Sequence, residues 1–140
     1  MSWTEQAKLT STDPDANALG DAIALSGDTA VLGGRFVDVA GKVYAGAAYV
    51  FVRSGTSWSQ QAILVDNVGG GENDQFGFSI SLRGDTAVIG ARGKAVGKNF
   101  GQGQAYVYVR SGTSWSQQAL LVDAAAGEMN DTFGQAVALD

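Results

Sequence analysis

The chain has 140 residues, 45% of them apolar and 16% charged, which makes it a folded chain of single-domain size rather than a disordered one. Its formal net charge of −5 argues against a nucleic-acid partner, since such binding rests on clustered Lys and Arg. It has no Cys and no His, which excludes disulfide staples, zinc sites built from sulfur or imidazole, and nucleophile–histidine pairs.

The opening Met1-Ser-Trp-Thr-Glu-Gln6 has neither a basic segment nor an apolar one, so no secretory signal is read there. No apolar run approaches the roughly 20 residues of a membrane span. Trp3 is the first mark of a repeat. Ala48–Ala62 returns as Ala105–Ala119 with a single change, Phe51 against Tyr108, and Trp3, Trp58 and Trp115 stand 55 and 57 residues apart. A fixed period of this size marks a repeat architecture. From Gly20 and from Gly77 the copies run in step, with 13 residues from Gly33 to Gly46 and from Gly90 to Gly103. The length difference sits in one connector, 17 residues from Trp3 to Gly20 against 19 from Trp58 to Gly77. Such differences belong in loops.

Each copy predicts four strands. In the second copy the first is Gly77–Leu82, where large apolar residues alternate with small or polar ones. A Gly-Asp turn (Gly27-Asp28, then Gly84-Asp85) leads to the second strand, Thr86–Gly90. A long Gly-bounded loop follows, then Ala105–Arg110, a turn at Ser111-Gly112-Thr113, and Ser114–Val122. No segment carries a capped 3.6-residue period, so the chain is expected to be all-β.

The second and third strands are apolar at consecutive positions and should be covered on both faces, while the Trp-bearing strand reads as half exposed. A four-stranded antiparallel sheet of that kind fits a β-propeller blade, which needs neighbours stacked on it. The alternative is a β-sandwich with duplicated halves, which would expose one face of each strand.

Phe76-Gly77 and Phe133-Gly134, with Gly33-Gly34 and Gly90-Ala91 after an apolar strand, resemble FG-GAP repeats over nearly the whole chain. Such repeats build the integrin α-chain propeller and many bacterial cell-surface and secreted proteins. The first copy departs from the pattern with Leu19-Gly20, and Arg35 and Arg92 stand where the motif has proline. The resemblance implies an outer strand over 2–9, blade one over 20–65, blade two over 77–122, and the inner strand of an incomplete blade over 133–139. Two blades do not close a ring. Two explanations stand, a piece of a longer propeller or copies that assemble with one another, and self-association is preferred.

The resemblance also implies an extracellular or cell-surface setting and a non-catalytic module for protein–protein contact or adhesion, not an enzyme. Family members often bind calcium in the loop between the second and third strands, but Arg35–Ala45 offers only Asp38 and Arg92–Gln102 no carboxylate. Neither metal nor cofactor is therefore expected. The acidic connectors (Asp13, Asp15 and Asn17; Asp66, Glu72, Asn73 and Asp74; Asp123, Glu128, Asn130 and Asp131) read as Asx-capped turns, with Asp74 and Asp131 fixing the approach to the Phe-Gly strand. Arg83-Gly84-Asp85 spells an integrin-recognised tripeptide, yet the first copy has Ser26-Gly27-Asp28 there, which makes Gly-Asp turn chemistry.

Candidate ligand-binding residues are of two kinds. Trp58 and Trp115 suit carbohydrate stacking in a lectin-like alternative, against a scaffold reading as pins of the outer strand. Phe36, Tyr44, Lys94, Asn99 and Phe100 differ between copies within the long loops, where binding on a rigid scaffold usually resides.

Overall fold

A computed structural model describes residues 1–16, 18–68 and 70–140, so Asn17 lies outside the described residues. Eight strands form two four-stranded antiparallel sheets. The first holds β1 (Ile23–Ser26), β2 (Thr29–Gly34), β3 (Ala47–Ser54) and β4 (Ser57–Leu64); the second holds β5 (Phe76–Arg83), β6 (Thr86–Ala91), β7 (Gln104–Ser111) and β8 (Ser114–Leu121). Strands lie side by side in chain order in both, and the described residues contain no helix.

The turns form where the sequence places Gly-Asp and Gly-Thr. Ser26 sits opposite Thr29 and Arg83 opposite Thr86, leaving a two-residue link with glycine first. Gly27 and Gly84 take φ of 56° and 55°, a left-handed conformation that matches the twist of the flanking strands and that a side chain resists.

Burial follows the expected pattern. β2 is buried at every position and β6 at all but its first, whereas β4 and β8 are largely half-buried or exposed. One core lies between the sheets, with Val31, Val50 and Leu64 of the first meeting Phe76, Ile89, Tyr106 and Tyr108 of the second. A second core covers the opposite face of the first sheet, where Leu9, Ala16 and Leu19 pack with Leu32, Val37 and Tyr49.

Close backbone approach explains the glycines of the motif. A Cβ on Gly33 would sit 2.1 Å from the Gly77 carbonyl, and one on Gly90 would sit 1.9 Å from the Gly134 carbonyl. Each connector also docks on the loop before it. Asn73, Gln75 and Phe76 donate backbone N–H groups to Val43, Tyr44 and Ala45; Asn130, Thr132 and Phe133 do the same to Phe100, Gly101 and Gln102. The docking contact is thus itself repeated.

Two expected strands are absent. Residues 2–9 form no strand and are exposed throughout apart from Leu9, with Trp3 almost fully in solvent. Residues 133–139 form no strand either; Phe133 makes one parallel bridge to Gly103, and Leu139 donates to Ser81 Oγ beside β5. A strand needs a partner for its N–H and C=O groups, and among the described residues neither segment has a neighbouring ladder. The two sheets run from Ile23 to Leu64 and from Phe76 to Leu121.

Candidate functional site

The loop between β2 and β3 departs from its copy where it faces solvent. Phe36 and Tyr44 meet edge to face, centroids 5.3 Å apart, at the mouth of a cleft of about 250 Å³ that Asp15, Ala18 and Asp38 complete. Tyr44 takes φ 54°, and its N–H donates to Asp38 Oδ1 at 2.9 Å. The second copy has Gly93 and Gly101 at these two places. Glycine accepts that backbone freely, while an L side chain there costs about 1–2 kcal/mol. The scaffold does not need this aromatic pair, since the other copy folds without it.

From Phe36 a row of alternating rings and guanidinium groups crosses to the second sheet. Arg35 lies 4.4 Å from the Phe36 centroid and 5.0 Å from that of Phe78, and Arg92 lies 4.0 Å from Phe78. Arg35 pairs with Asp21 at 2.9 Å. Arg92 donates through Nε to Gln75 Oε1 at 3.1 Å.

The other loop candidates are distributed differently. Lys94, in the loop between β6 and β7, is buried against the connector that joins β4 to β5, where Nζ donates to Asp74 Oδ2 at 2.8 Å and pairs with Asp66 Oδ2 at 2.9 Å. Burial opposes its charge, but the hydrogen bonds to Asp66 and Asp74 outweigh it and raise its pKa. Tyr106 donates to the same Asp66 oxygen at 2.9 Å, and burial followed by the Asp66 charge drives its pKa upward. Tyr108 donates to the Val65 carbonyl and is pushed up to about 12, chiefly by burial. Lys94 is therefore a staple between that loop and the connector. Asn99 is likewise committed, donating to Gln102 Oε1 at 3.1 Å and the Gly127 carbonyl at 2.7 Å. Phe100 is 70% exposed at the rim of an open cleft shared with Gly71–Asp74.

The two tryptophans sit in matching triads. Asp28, Arg53 and Trp58 recur as Asp85, Arg110 and Trp115, with ion pairs of 2.6 Å and guanidinium groups 5.6 Å and 5.2 Å from the rings. Trp115 packs on the core between the sheets and donates Nε1 to Gln61 Oε1 at 3.0 Å, while Trp58 packs on the second core. Each ring thus has apolar core on one side and arginine against it. Asp85, the acid of the Arg-Gly-Asp tripeptide, is held by Arg110.

Three features escaped the sequence reading: the Asp66–Asp74–Lys94–Tyr106 cluster, the Asp–Arg–Trp triads, and the Arg35–Phe78–Arg92 row. The triads had a signal, because all three residues repeat at a spacing of 57. The expected capping roles agree with geometry, since Asp74 accepts from the Gly71 N–H and Asp131 from that of Glu128. Among the described residues no three Asp or Glu side chains converge to hold a cation, and no helix is long and apolar enough to cross a membrane.

Comparison with protein families finds that the FG-GAP repeat matches the chain twice, over residues 3–51 and 58–108. No curated protein matches it significantly.

Proposed function

The chain belongs to the FG-GAP repeat family, and from that premise we propose that it is a non-catalytic module of β-propeller type that binds protein partners, including further copies of itself. The observation that carries the reading is the Phe36–Tyr44 pair. It is exposed, specific to one copy, and kept at a backbone position where the other copy has glycine. Strain retained without a packing reason points to use, and a loop on a stiff sheet is where contact residues collect. Adhesion at a cell surface is the setting the family suggests.

Self-association has separate support. Ile23 and Leu25 of β1 are 63% and 65% exposed, although their counterparts Ile80 and Leu82 pack against the core between the sheets. A face that is buried in one copy and bare in the other invites a sheet of the same kind. Light scattering should give a mass of two chains or more, returning to one chain in Ile23→Ser/Leu25→Ser. A well-folded wild-type monomer at high concentration would remove this part of the reading.

For the aromatic pair, a photo-crosslinking amino acid at Tyr44 should join a polypeptide in the native cells, while the same group at Gly112 should not. Adducts to glycan instead, together with binding on a glycan array that Phe36→Ala abolishes, would favour the lectin-like alternative. No adduct at Tyr44 would contradict both.

A further inference from the structure

Positions 21 and 78 are equivalent in the two copies, as are 35 and 92. In the first copy Asp21 neutralises Arg35 at 2.9 Å. In the second, Phe78 stands in the place of the acid: its ring supports the Arg92 guanidinium at 4.0 Å but supplies no negative charge. Arg92 spends Nε on the neutral Gln75 amide, and its two terminal amino groups have no protein acceptor among the described residues. It takes part in none of the ion pairs there, in a chain whose net charge is −5. Arg35 also lies over the Phe78 ring, 5.0 Å from its centroid, with its charge already answered by Asp21.

We propose that Arg92, held over the Phe78 ring, is a carboxylate-binding site for an acidic side chain of a partner polypeptide. A guanidinium fixed through Nε presents its remaining edge as a planar fork, the geometry that matches a carboxylate with two parallel hydrogen bonds. Stacking on the ring restricts the side chain before the ligand arrives, which lowers the ordering cost. The site adjoins Phe36 through Arg35, so an acid flanked by apolar surface fits the whole row. This inference rests on the protein-binding reading and names the chemistry of the partner. The site makes a copy-specific difference intelligible: with Phe78 where the first copy has Asp21, one arginine of the pair has no acid beside it among the described residues.

The test is an NMR titration of the full chain, reading the Arg92 Nε–H and, separately, the Phe36 and Tyr44 ring resonances. Acetyl-Gly-Asp-Gly-amide should shift Arg92 saturably, and the Asn analogue should bind at least about tenfold more weakly, since a charge-assisted pair is replaced by a neutral one. Arg92→Gln should abolish the shift. So should Phe78→Asp, which writes into the second copy the carboxylate that the first already has, and does so without removing the arginine. An unchanged Arg92 signal, equal shifts from the Asp and Asn peptides, or binding retained in Phe78→Asp would overturn the proposal. Glucuronate binding as tightly as the Asp peptide would overturn the assignment to a polypeptide. If Arg92 stays silent while a partner still perturbs Phe36 and Tyr44, only this inference fails and the protein-binding reading survives.

Discussion

Lys94 stands where the first copy has Val37, and both side chains are buried. The lysine is tolerated because two carboxylates hold it, one of which also accepts from the Tyr106 hydroxyl; the valine needs no such company. Lys94→Met should destabilise the fold by about 3–5 kcal/mol in urea unfolding, because Asp66 and Asp74 would then be buried without their cation. Tyr106→Phe should cost less, about 1–2 kcal/mol, for one lost bond to a charged acceptor. The pKa directions set the pH response. Lys94, Tyr106 and Tyr108 all have raised values, so above about pH 10, where the unfolded groups titrate, the folded state holds more protons than the unfolded one. Stability contributed by these groups is complete below that pH and falls as pH climbs beyond it. Urea midpoints between pH 7 and 11 should decline only at the alkaline end, and a decline beginning near neutrality would contradict the assignment.

At the scale of elements, the outer strands carry a bulge that has a use. Val50 pairs with Ala62 and Phe51 with Gln60, leaving Gln61 unpaired; Gln118 is left over in the same way. The extra residue re-aims its side chain, and Gln61 reaches across to Trp115 and Arg110 of the second sheet. The glycines divide by the same logic. Gly33→Ala forces a methyl into the Gly77 carbonyl and should cost about 3 kcal/mol, the upper range for overpacking. Gly27→Ala meets open space and should cost about 1 kcal/mol from its left-handed φ alone. Thermal unfolding of the two variants checks the ordering.

The strands, turns and doubly buried centres were legible because alternation, Gly-Asp pairs and apolar runs act locally. The flanking segments at 2–9 and 133–139 were not, because ladder formation depends on a neighbour no local pattern reveals. Of the candidate residues, Phe36 and Tyr44 meet edge to face, a contact the loop difference alone did not predict. Lys94 did not stay at the surface, since its carboxylate partners come from a connector 20 and more residues earlier.

For the whole molecule, the repeat matters because it makes each sheet a surface for the next. The face that the first sheet turns to the second, Val31, Ala48, Val50 and Leu64, recurs as Val88, Ala105, Val107 and Leu121, so the second sheet offers the same kind of face again: Val88, Val107 and Leu121 line an open groove of about 670 Å³ against residues 131–139. The exposed Ile23 and Leu25 are the other end of that logic. Function would then sit on what the copies do not share, the Phe36–Tyr44 loop and the uncompensated Arg92, while the shared residues hold the sheets in register. The stacking of the two sheets through one core carries all of this. Methyl-to-aromatic NOE measurement on the chain in solution tests it most directly. Strong cross-peaks from the Val31, Val50 and Leu64 methyls to the Phe76, Tyr106 and Tyr108 rings are predicted, and their absence from a chain that retains both sets of strands would contradict the account.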